Sequence, residues 1–200
     1  MADTARFERW SRQYERSRLQ GFFFDRVHRA ALDAAAQLPE PEVVLDVGCG
    51  TGRLLRAART RWPRARLIGV DPAGGMIEVA RRLDEGITFQ VAPAERLPLP
   101  DASVDLAFST ASFHHWHDRS AGVREVARVL RPAGHFILAD QSAPALFAWL
   151  LGDRRYLSPG ERRELLASVG LRVLRHDRSL SRFLPITVAR ADASSARPSA

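Results

Sequence analysis

Three groups of residues in this chain have the types and spacing to do chemistry. The first is Gly48-Cys49-Gly50-Thr51-Gly52, entered from Val44-Leu45-Asp46-Val47 and followed by Arg53-Leu54-Leu55-Arg56-Ala57-Ala58. A run with strand preference, glycines at alternate positions and the start of a helix make a strand, a tight turn and a helix N-terminus. Glycine lets the backbone take positive φ or lie against a ligand with no Cβ between, and the helix beyond offers unpaired N–H groups. A nucleoside-like ligand suits that seat. The second group is Asp71, a carboxylate closing the apolar run Leu67-Ile68-Gly69-Val70. An acid at the end of a second strand can accept from both hydroxyls of a ribose. The third is Phe113-His114-His115-Trp116-His117-Asp118, where an imidazole near neutral pKa can serve as a general base or play no part in catalysis. No metal site is expected there, because no Asp or Glu cluster completes one and the only cysteine, Cys49, sits in the glycine turn.

The spacing of the glycines separates two ligand classes. A dinucleotide fingerprint, G-x-G-x-x-G, would need glycine where this chain has Arg53, so Gly48-x-Gly50-x-Gly52 argues against NAD or FAD.

The elements that must position these groups follow from periodicity. Residues 5–38 read as two helices broken at Gly21, the second carrying Phe24, Val27, Ala31, Ala35 and Leu38 on one face and ended by Pro39-Glu40-Pro41. A helix with Leu54, Leu55, Ala58 and Trp62 inward stops before Pro63. Further strands are expected at 87–91, after Ala102-Ser103, and at 135–140, the last entered through the turn Arg131-Pro132-Ala133-Gly134. A helix over 119–130 faces Val123, Val126, Ala127 and Leu130 inward. Residues 143–152 form a short apolar helix suited to a substrate lid. Ser158 and Glu161 have capping-box spacing for a helix reaching Val169, and strands over 171–178 and 184–190 close the chain. Strand and helix in alternation imply a three-layer α/β sandwich.

Composition narrows the classes. Two hundred residues make one domain of ordinary size, Met1 opens a segment too polar for a signal peptide, and no apolar run reaches membrane-spanning length, so a cytoplasmic protein is expected. The net charge of +7 does not indicate a nucleic-acid partner: the thirty basic residues are all arginine, and the densest run, Arg53, Arg56, Arg59, Arg61, Arg64 and Arg66, reads as a solvated helix face.

The stretch from Val44 to Gly52 resembles the first motif of the class I S-adenosylmethionine-dependent methyltransferases, hydrophobic-Leu-Asp-x-Gly-x-Gly-x-Gly. The run Asp71-Pro72-Ala73-Gly74-Gly75-Met76 resembles their second motif, Ala102 to Thr110 their fourth, and Arg128-Val129-Leu130-Arg131-Pro132-Ala133-Gly134 the turn typical of their small-molecule members, of the methyltransferase domain 11 kind. The resemblance covers roughly residues 42–190. It implies a Rossmann-like seven-stranded sheet of order 3-2-1-4-5-7-6 with strand 7 antiparallel, and S-adenosyl-L-methionine as cofactor. It implies that Asp46, Gly48, Cys49, Gly50, Gly52, Asp71, Pro72, Met76, Ala94, Glu95 and Ser109 meet that cofactor, Met76 lying beside the adenine unless it fills core space. Asp105 is a structural marker. Relatives carry Gly-Asp-Ala before the acid and the Leu-Pro pair; here Pro93 stands for that Asp, leaving Ala94 N–H and Glu95 to meet the adenine.

The expected organisation is an N-terminal helical cap over 1–41, a cofactor-binding methyltransferase domain over 42–192 with a lid at about 141–157, and a disordered tail over 193–200. The expected function is methyl transfer to a small, apolar or aromatic metabolite. His114 and His115 are the candidate bases, and Tyr14, Phe113, Trp116 and Trp149 the candidate walls of the substrate pocket. Two alternatives stand beside it: an RNA or protein methyltransferase, against which Ser109-Thr110-Ala111-Ser112 replaces the Asn-Pro-Pro-Tyr or Asp-Pro-Pro-Tyr acceptor motif, and a non-catalytic cofactor-binding protein of the same fold.

Overall fold

The computed structural model describes residues 18–141, 157–177 and 184–192. The expected helix before Gly21, the lid with Trp149, Tyr14 and the tail from 193 fall outside the described residues, the first in large part. The strand β1 (Val43–Val47) is buried along its whole length, which an apolar run needs if both faces of the sheet are covered. Around it lie β2 (Arg66–Asp71), β3 (Thr88–Val91), β4 (Val104–Thr110), β5 (Leu130–Ala139), β6 (Leu171–Asp177) and β7 (Ile186–Ala191), in the order β3-β2-β1-β4-β5-β7-β6. The first five are parallel to one another and β7 runs antiparallel to both β5 and β6. The sheet order and the reversed seventh strand are those expected.

Side chains alternate across each strand, and two helical layers take the two sets. On one face α1 (Arg18–Ala35), α2 (Arg53–Arg61) and α3 (Gly74–Leu83) pack Val27, Ala31, Leu54, Leu55, Ile77 and Ala80 against strand residues such as Val44, Phe108 and Ile137. On the other, α4 (Arg119–Val129) and α5 (Pro159–Ala167) pack Val123, Val126 and Leu166 against Leu45, Val70, Ala107 and Leu138. The described part of the N-terminal segment is thus a layer of the sandwich, with α1 lying against β4, β5 and β7.

Two local expectations are corrected. No break occurs at Gly21: α1 runs through it, since an interior glycine costs only about 1 kcal/mol and the packed face outweighs that. The residues Arg131 to Gly134 are not a turn outside the sheet but a bulged entry to β5, where Val104 pairs with Leu130 and Leu106 already with His135. Asp105 accounts for the bulge's anchorage. Its carboxylate accepts from Glu42 N (3.0 Å), Val43 N (2.8 Å) and Arg131 Nη1 (2.7 Å), tying β4 to the starts of β1 and β5. The capping box at Ser158 and Glu161 is present, with α5 ending at Ala167.

The arginines of the dense basic run face acids of the same chain: Arg53 meets Asp25 (3.1 Å), Arg61 meets Asp33 (3.1 Å) and Arg59 meets the buried Asp84 (2.5 Å). No helix among the described residues is long and apolar enough to cross a membrane.

Candidate active site

The glycine turn hangs on the end of β2. Val70 O accepts from both Gly48 N (2.8 Å) and Cys49 N (3.0 Å), and Asp71 takes Gly50 N on one oxygen (2.9 Å) and Ala73 N on the other (2.9 Å). A carboxylate has about four acceptor positions, so these backbone bonds orient Asp71 and still leave it capable of meeting hydroxyls. The three glycines differ in what their missing Cβ leaves room for. A Cβ on Gly48 would lie 2.3 Å from Ser112 Oγ, and one on Gly52 would lie 2.5 Å from the Phe89 ring. One on Gly50 would meet nothing within 4 Å. Packing within the protein explains Gly48 and Gly52; only Gly50 turns a bare backbone toward unfilled space.

Asp46 is 1% exposed, and its Oδ1 has no hydrogen-bond partner. Burial, and then the charge of Asp71, push its carboxyl up to about 8. A buried acid with an unmet acceptor next to the bare backbone of Gly50 fits a ligand carrying a positive group. The Cys49 thiol is buried and pushed well up by that burial, so it is inert.

Of the other expected cofactor contacts, Pro72 is exposed at the entry to α3 and Ala94 is buried after β3. Met76 is 2% exposed, which favours packing over adenine contact. Glu95 accepts from Asp118 N (2.9 Å), anchoring the loop after β3 to the start of α4. Ser109 is fully buried, with its hydroxyl 2.8 Å from Ser112 Oγ, which in turn donates to Val47 O (2.9 Å). Ser109 supports the glycine turn from behind through Ser112, a residue that sequence reasoning did not single out.

Of the expected pocket walls, Phe113 is 2% exposed and belongs to the α4 side of the core, and Trp116 packs edge-on to it at 5.0 Å and over Gly122, whose Cβ would lie 2.3 Å from the indole. Both pack toward α4 from the short 3-10 turn Phe113–His115 and the residue after it, with Trp116 half-buried. Tyr14 and Trp149 lie outside the described residues.

That same turn sends His114 the other way. Its Nδ1 is 2.7 Å from Asp140 Oδ1, and its backbone N donates to Asp140 Oδ2 (3.1 Å). The Asp140 side chain is fully buried and that of His114 is 9% exposed. An ionised carboxylate only accepts, so the Nδ1 atom carries a proton toward Asp140. The His115 ring lies 3.9 Å from that of His114, tilted by 43°, while His117 is exposed. Asp140 ends β5, beside β4, at the carboxyl edge where open α/β sheets take their ligands. It was read only as the end of a strand; the signal available was an acid at that edge. Arg162 of α5 reaches the same point, donating to Asp140 O (3.3 Å) and Gln141 O (2.9 Å). Nothing in its surface-helix pattern marked it. No group of three His, Cys, Asp or Glu among the described residues could hold a metal ion.

Sheet order, glycine seat and Asp71 define a nucleoside-binding α/β fold, and known proteins narrow it. Residues 45–138 match the family described as "Methyltransferase domain". The chain is 38% identical over 143 residues to a malonyl-[acyl-carrier protein] O-methyltransferase of Hahella chejuensis, covering 66% of this chain and 51% of that protein. It is 35% identical over 125 residues to a demethylmenaquinone methyltransferase of Deinococcus radiodurans, covering 60% and 52%. A chain in the complex between the Haloferax volcanii Trm112 methyltransferase activator and a candidate methyltransferase superposes with a TM-score of 0.77 at 25% identity, covering 93% of this chain and 97% of that one. The chain belongs to the class I S-adenosylmethionine-dependent methyltransferases. It spans about half the length of the curated relatives it matches.

Proposed function

We propose that this protein transfers a methyl group from S-adenosylmethionine to a small, largely apolar acceptor, with His114 as the base where the acceptor must lose a proton. The observation that carries the reading is the pairing of two sites along one sheet edge: the bare backbone of Gly50 between Asp46 and Asp71, and His114 held on a buried Asp140. When bound, the cofactor supplies an electrophilic methyl group on a sulfonium, so the protein's work is alignment and exclusion of water. Asp71 would meet the ribose, and Asp46 the positive end of the methionine portion. Asp140 holds the His114 ring by Nδ1, which makes Nε2 the atom that would take the proton of an acceptor hydroxyl, amine or carbon acid, and its carboxylate would stabilise the imidazolium that forms. The named relatives act on acceptors as different as demethylmenaquinone and malonyl-[acyl-carrier protein], so specificity has to come from this chain's own residues.

Calorimetry with S-adenosylmethionine, S-adenosylhomocysteine and NAD tests the cofactor half. The first two are expected to bind and NAD not; NAD binding in their place would overturn the reading.

A further inference from the structure

Arg162 has the largest of the fully buried side chains among the described residues, at 1% exposure. One nitrogen, Nη2, serves the carbonyls of Asp140 and Gln141, and Nε and Nη1 meet no hydrogen-bond partner. Nor does any carboxylate contact the guanidinium among the described residues. The acid nearest in the network, Asp140, commits Oδ1 to His114 Nδ1 and to Gln141 N (2.6 Å), and Oδ2 to His114 N. Burial works against the charge and pushes the Arg162 pKa down, but a guanidinium does not shed its proton. A strut between two carbonyls needs one nitrogen. The rest of the group is a positive charge kept dry next to the proposed base; the charge of Asp140 offsets part of the cost of burial, but among the described residues no carboxylate is hydrogen-bonded to the guanidinium, and such an arrangement costs stability unless something compensates it.

We propose that Arg162 is a carboxylate receptor in the acceptor site, so that the acceptor is an organic acid whose apolar body carries a carboxylate. This rests on the methyl-transfer reading only in naming the ligand as the acceptor. The acid group would pair with Nε and Nη1 and so fix the acceptor's orientation relative to His114. The cofactor's methionine portion also carries a carboxylate. The acceptor is favoured because Arg162 reaches the end of β5, which β4 separates from β1 and the glycine turn, two strand spacings or about 10 Å.

The test uses the full chain with Arg162→Met and Arg162→Lys. Calorimetry in saturating S-adenosylhomocysteine, and again without it, compares acetate, propionate and phenylacetate with their amides, and thermal melting is followed in parallel. The wild type is expected to bind at least one acid tenfold or more tightly than its amide. Arg162→Met should lose that preference, Arg162→Lys should keep part of it, and S-adenosylhomocysteine affinity should change by less than twofold in both. Without added acid, Arg162→Met should melt no lower than wild type, because a partly compensated buried charge has gone. Equal binding of acids and amides by the wild type would overturn the proposal, as would an acid preference that survives in Arg162→Met. A lower melting point in Arg162→Met, restored by Arg162→Lys with no acid preference in any form, would make Arg162 a strut only. Loss of S-adenosylhomocysteine affinity in Arg162→Met with unchanged binding of 5′-methylthioadenosine would assign the charge to the cofactor instead of the acceptor. Failure of the wild type to bind S-adenosylhomocysteine at all would count against the methyl-transfer reading, while the acid comparison without it still judges Arg162.

Discussion

The glycine turn and the His114–Asp140–Arg162 cluster sit on the same sheet edge but are built by opposite means. In the first, backbone sets the geometry: Gly48, Cys49 and Gly50 donate N–H groups to Val70 O and Asp71, and no protein atom lies within 4 Å of where a Cβ on Gly50 would be. In the second, side chains from three separate elements meet, the 3-10 turn after β4, the end of β5 and the helix α5. A cofactor shared by many enzymes can be met by backbone, whose positions any sequence of suitable residue types will reproduce. An acceptor peculiar to one enzyme has to be met by side chains, which can change while the fold stays.

Breaking the side-chain half should have the largest effect on rate and little on cofactor binding. His114→Ala is expected to lower kcat by about 10²- to 10⁴-fold for an acceptor that must lose a proton, with S-adenosylhomocysteine affinity within twofold of wild type. Asp140→Asn should approach that loss, because an amide can donate to Nδ1 and leave the wrong nitrogen protonated. Steady-state kinetics with calorimetry on the same preparations measures both; equal loss of rate and cofactor affinity would show that the two halves are one.

The backbone half can be split further with one substitution made three times. Gly48→Ala and Gly52→Ala drive a Cβ into Ser112 and Phe89 respectively, and should each cost about 2–4 kcal/mol in denaturant unfolding. Gly50→Ala meets no atom and should cost only about 1–2 kcal/mol, from its φ of 53°, yet it should lose tenfold or more in cofactor affinity. If Gly52→Ala lost affinity while keeping its stability, the division of labour among the glycines would be reversed.

That split also shows what could be read from the sequence. The sheet order, the glycine turn and the acid ending β2 follow from residue types in a local pattern, because strand, turn and helix N-terminus each have a compositional signature. The directions of Ser109, Phe113 and Trp116 are not legible in the sequence, because position along the chain puts them near the edge, whereas direction depends on the 3-10 turn, which points Phe113 at α4 and His114 at β5. Asp140 and Arg162 were not singled out because their meaning lies in contacts across 26 and 21 residues, and no local pattern encodes either. The purpose of Gly48 was hidden likewise: it makes room for Ser112, which bonds Val47 across 65 residues.

Asp46 sharpens the comparison through pH. Its folded carboxyl, near 8, lies above the ordinary 3.8, so between those values the unfolded chain gives up a proton that the folded one keeps. The folded state then binds more protons, and stability falls as pH rises from about 4 toward 8. Asp46→Asn removes that term and should raise stability by up to about 5 kcal/mol at pH 8 and little at pH 4, seen in denaturant unfolding at both. The same change should weaken S-adenosylmethionine binding. In wild type, meeting a positive ligand group ionises Asp46, so binding should release protons near pH 7 and tighten as pH rises. Calorimetry in buffers of different ionisation enthalpy detects that release; proton uptake would contradict it.

The smallest effect is expected at Pro93, where on the proposed reading the adenine would find no side-chain acceptor. Proline offers neither a side-chain acceptor nor an N–H, and Pro93 is exposed, so a carboxylate placed there disturbs no packing. Pro93→Asp should tighten cofactor binding by up to about 1.5 kcal/mol, the worth of one hydrogen bond to a charged group. Glu95, the other candidate acceptor, already holds Asp118 N at 2.9 Å. Glu95→Ala should therefore lower stability by about 1 kcal/mol through the lost anchor of α4, and it should weaken binding only if its carboxylate also reaches the adenine. A double-mutant cycle on affinity separates the two roles. Binding losses that shrink once Asp occupies position 93 would show Glu95 to be the substitute acceptor. Additive binding effects, together with the stability loss, would leave Glu95 a tie between β3 and α4, with the adenine met by backbone alone.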